Sequence, residues 1–155
     1  MGAGIVMKKS VSIAGFICFV FIVSAFAQAD VDREAIKRTA LSYAEGWYEG
    51  NADKMESALH ADLAKRIART NDKGQTRLDQ MSAMSLVQGT RTGFGKQTAK
   101  EEQQKDVTIL DVTGGAATVK LEMRDWVDYM HIARSNGKWV IVNVLWEMKP
   151  QKVKN

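Results

Sequence analysis

Ionisable and aromatic side chains lie close together near the C-terminus, in the stretch DWVDYMHIARSNGKWVIVNVLWEM at residues 125–148. Asp125 and Asp128 carry carboxylates that could take a proton from a substrate, and Tyr129 carries a hydroxyl that could stabilise a developing oxyanion. His131 adds an imidazole, a side chain that often serves as a general acid or base. These residue types permit an isomerase-like reaction in which one Asp moves a proton and the Tyr donates a hydrogen bond.

Strand geometry excludes a direct acid–base dyad between Asp125 and His131. Six residues of extended chain span about 20 Å, whereas a hydrogen-bonded dyad requires about 3 Å. Tyr129 and His131 are nearer, at about 7 Å along the strand. The three groups could therefore line one pocket, or each could be a core polar group that is satisfied by a helix end or a water.

No pattern in the sequence predicts a metal or a cofactor. The two histidines, His60 and His131, have no further ligands at a metal-binding spacing. The stretch GTRTGFGK at residues 89–96 is similar to a phosphate-binding loop, but its spacing is one residue too long and it follows a helical pattern. We interpret it as a loop at the rim of a pocket, where Arg91 or Lys96 could meet an anionic ligand.

The N-terminus has the pattern of a secretory signal peptide. Lys8 and Lys9 precede an uncharged apolar run over residues 13–23, and Ala25-Phe26-Ala27 has small residues at the two positions that a signal peptidase reads. We predict a signal peptide at residues 1–29 with cleavage near residues 27–29, a domain at 30–150 and a basic tail at 151–155. The mature protein would be periplasmic or secreted, without a stable membrane anchor.

The charge of the mature chain argues against nucleic acid as a partner. Removing Lys8 and Lys9 from the 22 basic residues leaves 20, against 18 acidic residues. A balance this close to neutral does not predict binding to a polyanion. The single cysteine, Cys18, lies within the predicted signal peptide, so the mature chain has no disulfide and no thiol chemistry.

The order of helical and extended patterns predicts an α+β domain. Apolar residues at helical spacing over residues 36–47 predict a first helix that ends at Gly50, and Asn51 and Ser82 are placed to cap two further helices. Residues 63–70 and 75–81 predict a hairpin between those two helices. Four strands follow, at 107–112, 117–123, 127–134 and 139–148, so the sheet is mostly antiparallel.

The Asn136-Gly137 turn fixes the predicted register of the last hairpin, and the register assigns each residue to a sheet face. Asp125, Tyr129, His131 and Trp146 fall on the Val-rich face that the helices must cover. Tyr43 and Trp47 of the first helix pack against the same face, where they could stack on a flat ring. The predicted ligand-binding residues are therefore Tyr43, Trp47, Asp125, Tyr129, His131 and Trp146.

The opposite face of the same hairpin is also apolar, and a large exposed apolar patch usually marks an interface. We predict a homodimer through this face, although the N-terminal hairpin or the tail could cover it instead. A β-bulge between residues 123 and 128 would exchange the two faces and turn Asp128 into the pocket and Asp125 out of it. The predicted interface residues are Trp126, Met130, Ile132, Trp139, Ile141 and Leu145.

Three segments resemble the putative lumazine-binding family of the nuclear transport factor 2-like, or SnoaL-like, superfamily. They are YAEGWYEGNADKMESALHADLAKR, MSAMSLVQGTRTGFGK and ILDVTGGAATVKLEMRDWVDYMHIARSNGKWVIVNVLWEMKP. The resemblance implies a cone-shaped, cystatin-like fold, in which N-terminal helices wrap a curved, mostly antiparallel sheet. The chain departs from the family pattern at Asn51, where an Asp is usual, and at Ala61, where HPDL is usual; both positions bear on capping and a turn.

The function predicted first is an exported protein that binds a small molecule, lumazine-like or otherwise flat, in the cone without catalysing a reaction. The alternative, which the resemblance to this superfamily also implies, is an isomerase-, cyclase- or dehydratase-like enzyme. It would use one Asp, Asp125 or Asp128, with Tyr129 and His131. A third possibility is a structural module whose sheet face binds another protein. The resemblance implies the superfamily but does not decide among these three functions, because one fold hosts many functions.

Overall fold

The computed structural model describes the backbone of residues 14–150 and the side chains of residues 29–150. The predicted basic tail and the first part of the predicted signal peptide lie outside these residues. The chain divides into two compact units, residues 1–32 and residues 33–155. Helix α1 spans Ala14–Glu49. It begins before the predicted helix start near Asp30, because the apolar residues that precede Asp30 belong to the same helix.

Local caps end α1 and begin the next two helices as predicted. Gly50 adopts a φ of 61°, the left-handed conformation that ends α1. The Asn51 side chain accepts a hydrogen bond from the backbone N–H of Lys54 at the start of α2, Ala52–Ala58. The Ser82 side chain accepts one from Ser85 at the start of α3, Ala83–Arg91. Two short 3-10 helices, Phe94–Gln97 and Lys100–Glu102, follow α3.

Six strands form one sheet in the order β2-β1-β6-β5-β4-β3. All neighbours are antiparallel except β1 and β6, which are parallel. This confirms the predicted α+β class and the mostly antiparallel sheet. The strands are β1 Leu59–Thr70, β2 Thr76–Ser82, β3 Lys105–Thr113, β4 Ala116–Met123, β5 Trp126–Ser135 and β6 Lys138–Met148.

The register of the β5–β6 hairpin is as predicted beside the turn and wrong beyond it. Arg134 pairs with Trp139 and Ile132 with Ile141, but His131 then pairs with Asn143. Val142 is therefore an extra residue in β6. The bulge lies on β6, the partner strand of β5. It does not lie between residues 123 and 128, where the sequence analysis placed the bulge that would exchange the faces. Relative to the prediction, the two faces of β5 are exchanged along the whole strand, so that Asp128, Met130 and Ile132 point toward the core. On β6 the exchange is limited to the residues before Val142, because the bulge shifts the alternation by one residue there.

Burial of apolar surface explains this bulge. On β6, Trp139 and Ile141 lie in one phase of the strand alternation, and Val144 and Trp146 lie in the other. One extra residue at Val142 brings both pairs to the face that the helices cover, which we call the inner face. A regular strand would leave one pair on the opposite, outer face, at a cost of about 1.5–3 kcal/mol for each large side chain.

The exchange corrects the placement of most residues that were predicted for the dimer interface. Met130 and Ile141 are fully buried, and Ile132 and Trp139 are buried almost completely. All four belong to the hydrophobic core of the chain, and Trp126 packs against it. Leu145 alone of the predicted set is largely exposed. The buried residues pack against α1 and α2 within one chain and are not an exposed surface.

The inner face is lined by the core. Ile36, Tyr43 and Ala44 of α1 and Met55 of α2 share one buried cluster with sheet residues Val119, Leu121, Met123, Met130, Ile132, Ile141 and Val144.

Within residues 14–150 no helix combines the length and apolar character required to cross a membrane.

Candidate functional site

A cavity of about 410 Å³ opens between α1, α3 and the inner face of the sheet. This volume lies within the range of about 300–1,000 Å³ that is usual for small-molecule sites. Aromatic and apolar side chains make up most of the wall, and two ionisable side chains interrupt it. The lining residues are Tyr43, Trp47, Lys65, Met81, Leu86, Asp125, Trp126, Trp146 and Met148.

Three tryptophans form a continuous aromatic wall. The ring centroids of Trp47 and Trp126 are 5.6 Å apart with an interplanar angle of 86°. Those of Trp126 and Trp146 are 6.4 Å apart with an angle of 74°. Edge-to-face contacts of this kind stabilise each ring by about 0.5–1.5 kcal/mol. The three rings come from α1, β5 and β6, so they meet only in the folded chain.

A buried polar cluster lies beside the aromatic wall. The Lys65 ammonium, from β1, donates to a carboxylate oxygen of Asp128 and to the Tyr43 hydroxyl, which is 2.8 Å away. The indole N–H of Trp126 donates to the other Asp128 oxygen at 2.9 Å. Asp128 is fully buried, and Lys65 and Tyr43 are almost fully buried. We call Lys65, Asp128 and Tyr43 the buried triad.

The ammonium of Lys65 is also stabilised by π systems. Its Nζ lies 4.8 Å from the centroid of the Trp146 ring and 5.4 Å from that of Tyr43. Such contacts are favourable because an aromatic face carries a negative partial charge. Among residues 29–150, every buried side-chain nitrogen or oxygen has a hydrogen-bond partner. Each polar side-chain atom of the buried triad therefore has at least one hydrogen-bond partner.

Burial shifts the pKa of two triad members in opposite directions. Burial raises the pKa of the Tyr43 phenol well above its ordinary value, and the charge of Asp128 and a hydrogen bond to it act in the same direction. Burial lowers the pKa of the Lys65 ammonium, while its charge attraction and hydrogen bond to Asp128 oppose the shift. Both shifts follow because desolvation disfavours the charged form of each group.

Tyr43 is expected to ionise well above the ordinary pKa of a tyrosine. Because its folded pKa exceeds its unfolded value, the unfolded chain loses this proton first, and the free energy of unfolding falls as pH rises above about 10. Tyr43→Phe should remove the tyrosinate absorbance that develops at the highest pH, and should reduce that alkaline loss of stability. An alkaline absorbance titration with parallel urea unfolding checks both; loss of the earliest absorbance phase instead would contradict the assignment.

Charged residues lie at the edge of the cavity. The Asp125 carboxylate is partly exposed and lies 3.6 Å from Nε of Arg124. The guanidinium carbon of Arg69 lies 5.9 Å from the Trp146 ring centroid, and its Nε pairs with Asp79 at 3.0 Å. These pairs are solvent-accessible, in contrast to the buried triad.

The structure brings four of the six predicted ligand-binding residues to the cavity: Tyr43, Trp47, Asp125 and Trp146. Tyr129 and His131 lie on the outer face, where both are exposed, because the alternate residues Asp128, Met130 and Ile132 of β5 point into the core. His131 contacts the Asn143 amide through Nδ1 at 3.2 Å. Of the two candidate catalytic aspartates, Asp128 contacts two lining residues and Asp125 lies at the cavity edge. The predicted combination of one Asp with Tyr129 and His131 is therefore not assembled on the inner face.

Lys65 was missed by the sequence analysis, although the sequence contains a signal for it. In β1, Leu63, Lys65 and Ile67 occupy alternate positions, and both apolar neighbours are buried. A lysine between two inner-face apolar residues predicts a buried ammonium that requires a carboxylate partner. The predicted register placed Trp126, like Asp128, on the outer face. Trp126 was therefore not predicted as a residue of the aromatic wall.

Other candidates from the sequence lie elsewhere. Arg91 and His60 line a second cavity of about 430 Å³ between α2, β1 and α3. The aliphatic part of Lys96 approaches Gly50 and Gly93 at the end of α1. In the part of the chain that the structure describes, no three His, Cys, Asp or Glu residues are grouped so that they could hold a metal ion.

Comparison with known families gives one match that covers most of the chain. Residues 31–147 match the model of a family that is described as putative lumazine-binding. A comparison with curated proteins finds no significant match.

Solved structures share the fold at low sequence identity. A nuclear transport factor 2-like protein of unknown function from Shewanella baltica is 16% identical, with a TM-score of 0.59 over 77% of this chain and 95% of its own. A protein from Novosphingobium aromaticivorans with a cystatin-like fold is 12% identical, with a TM-score of 0.59 over 81% and 87%. One from Methylobacillus flagellatus is 18% identical, with a TM-score of 0.56 over 77% and 93%. These similarities show a nuclear transport factor 2-like, cystatin-like fold.

Proposed function

Because the chain belongs to the putative lumazine-binding family, we propose that it is an exported protein that binds a small planar molecule, such as a lumazine, in the tryptophan-lined cavity. The observation that carries the proposal is the aromatic wall of Trp47, Trp126 and Trp146 around a cavity of ligand size. Flat rings gain dispersion and quadrupole stabilisation against such a wall. Polar groups of the ligand would meet Lys65 and Asp125 at its margin.

Binding without turnover fits the state of the carboxylates better than proton abstraction does. Both oxygens of Asp128 accept hydrogen bonds, from Lys65 and from Trp126, so neither is free to face a substrate C–H. Asp125, at the edge of the cavity, is partly exposed and paired with Arg124, so its carboxylate already has a cationic partner.

Lumazine is the first probe for this function, and calorimetry on the purified domain is the measurement. Trp146→Leu should weaken binding about tenfold, because loss of one aromatic face removes about 0.5–1.5 kcal/mol in addition to buried area. His131→Ala, on the outer face, is the matched control and should leave the affinity unchanged. Equal effects of the two variants, or no binding by a panel of flat heterocycles, would contradict the proposed site.

Export is the second part of the proposal, and it rests on the N-terminal sequence pattern. Expression of the full chain with its own N-terminus in a bacterial host should yield a protein that begins near residue 28 or 30 in the periplasm or medium, as measured by intact mass. A full-length product confined to the cytosol would contradict export. Replacing the apolar residues 17 and 19–21 with serine provides the control, since the shortened apolar run should retain the precursor.

A homodimer through the outer face is also proposed. Tyr129 and Leu145 are adjacent there through the β5–β6 pairing and are 46% and 51% exposed. Leu145→Glu should convert a dimer to a monomer in light scattering, because it places a charge at the centre of an apolar contact. Met84→Glu, on the exposed side of α3, is the control and should not change the mass. A monomeric wild-type protein would contradict the dimer.

A further inference from the structure

We infer that the cavity captures a planar conjugated aldehyde covalently and reversibly, as a protonated imine on Lys65 with Asp128 as its counterion. This inference rests on the proposed function, since it uses the same cavity and deepens its ligand class. It follows from the position of one primary amine at the inner wall of an aromatic pocket, with a carboxylate and a phenol in direct contact.

The position of Lys65 is unlike that of a lysine retained for solubility or stability. Its side chain is 5% exposed, and Lys65 is one of the residues that line the cavity. A buried ion pair is seldom more stabilising than an apolar pair of similar volume, because both charges lose their hydration. Stability alone therefore does not account for Lys65 and Asp128 between Leu63 and Ile67 on β1 and Met130 on β5.

The choice of lysine rather than arginine is informative. A guanidinium is the group better suited to a buried pair, because it is weakly hydrated and binds a carboxylate through two donors. An ammonium has a different property: once it gives up one proton it becomes a nucleophile, and burial promotes this change. The burial of Lys65 acts in that direction and lowers the pKa of its ammonium.

The neighbours of Lys65 supply the proton transfers that imine formation requires. Asp128 is in hydrogen-bond contact with the ammonium, so it can accept one proton and release the free amine. The Tyr43 hydroxyl, 2.8 Å from Nζ, is placed to donate a hydrogen bond to the oxygen of an aldehyde that is attacked there. Trp126 holds the second oxygen of Asp128 in place at 2.9 Å.

The reaction balances without any external oxidant or reductant. The amine attacks the carbonyl carbon, a C–N bond forms, and the C–O bond of the resulting carbinolamine breaks. Two of the three protons of the ammonium leave with the carbonyl oxygen as water, and one remains on the nitrogen. The product is a cationic imine in which the positive charge still faces the Asp128 carboxylate. Hydrolysis by the reverse path releases the aldehyde.

The aromatic wall selects the aldehyde class. Trp47, Trp126 and Trp146 present flat surfaces within one cavity of about 410 Å³, so a conjugated aldehyde can place its ring against them while its carbonyl reaches Lys65. A conjugated imine also delocalises the positive charge, which favours the cationic product beside Asp128. Sugar-like aldehydes lack both properties.

Reductive trapping with trans-cinnamaldehyde tests the inference on the intact domain. Treatment with limiting aldehyde and cyanoborohydride should give one adduct, with a mass gain equal to the aldehyde minus one oxygen atom. Peptide mapping should place it on Lys65 in preference to exposed Lys138. Lys65→Arg keeps a cation opposite Asp128 but no primary amine, and should reduce the specific adduct to the level on exposed lysines.

Cinnamyl alcohol separates this inference from the proposed function, because it has the same ring and cannot form an imine. Saturating cinnamyl alcohol should protect Lys65 from trapping in the wild-type protein, which keeps the test valid even where Lys65→Arg does not fold. Binding of the alcohol with no preferential adduct on Lys65 would overturn covalent capture and leave the proposed function standing. Absence of binding by the alcohol, by lumazine and by the aldehyde would overturn both.

Discussion

Asp128→Ala is expected to lower the free energy of unfolding by about 3–5 kcal/mol, because it leaves the Lys65 ammonium buried without a counterion. Tyr43 and the Trp146 ring would still contact the ammonium, but neither carries a negative charge that could replace the carboxylate. Urea unfolding at neutral pH, followed by tryptophan fluorescence, measures the loss as a lower midpoint with an unchanged slope.

Two further variants establish the cause. Lys65→Met combined with Asp128→Leu removes both charges and should recover most of the lost stability, since desolvation of the pair is then no longer required. Lys120→Met breaks a partly exposed pair with Glu122, in which about a third of each side chain is accessible, and should change the midpoint little. A double variant as unstable as Asp128→Ala alone would show that packing, and not the unpaired charge, causes the loss.

Gly95→Ala is expected to destabilise the protein by about 1–3 kcal/mol and to weaken ligand binding. A Cβ atom on Gly95 would overlap the backbone carbonyl of Trp47 and lie 2.8 Å from Cδ1 of its indole. Backbone cannot yield as a flexible side chain can, so Trp47 must move. Its edge contact with Trp126, and hence the aromatic wall, would move with it.

Gly89→Ala is the matched control for this variant. Gly89 lies inside α3, and no heavy atom lies within 4 Å of a Cβ built there. Alanine is favoured over glycine in a helix interior by about 0.5–1 kcal/mol, so this variant should be slightly more stable. Thermal unfolding and lumazine calorimetry on the pair provide the comparison. A neutral Gly95→Ala would contradict the close approach of the two segments.

Local sequence signals predicted most of the fold. Helix ends at Gly50, Asn51 and Ser82 depend on a single residue's backbone preference or capping side chain, so they can be identified without tertiary information. The Asn136-Gly137 turn has φ values of 49° and 76°, which only a few residue types adopt readily. The family resemblance then supplied the cystatin-like architecture, which local signals alone do not specify.

The candidate site was harder to predict, because it depends on one inserted residue in a strand. Val142 is an ordinary strand residue, and nothing local identifies it as a bulge. Packing of the whole core determines the register, because both pairs of large β6 side chains are buried only if the strand gains a residue. Tyr43, Trp47, Asp125 and Trp146 were assigned to the cavity, whereas Lys65 and Trp126 required tertiary pairing to be seen.

The glycine-rich stretch at residues 89–96 illustrates the same limit. Its similarity to a phosphate-binding loop rests on its three glycines, but these glycines do not share one structural role. Gly93 has a φ of 77° before the 3-10 helix, Gly95 is required by the Trp47 backbone, and Gly89 has neither constraint. Composition alone does not distinguish a glycine that approaches a ligand from one that approaches another part of the same chain.

The parallel pairing of β1 with β6 determines when the chain can fold during its synthesis. Lys65 and Asp128 are separated by 63 residues, and β1 lies between β2 and the last strand to leave the ribosome. Contacts so distant along the chain form late, since loop closure precedes any gain from pairing. The nascent chain therefore exposes its first hairpin until β6 emerges.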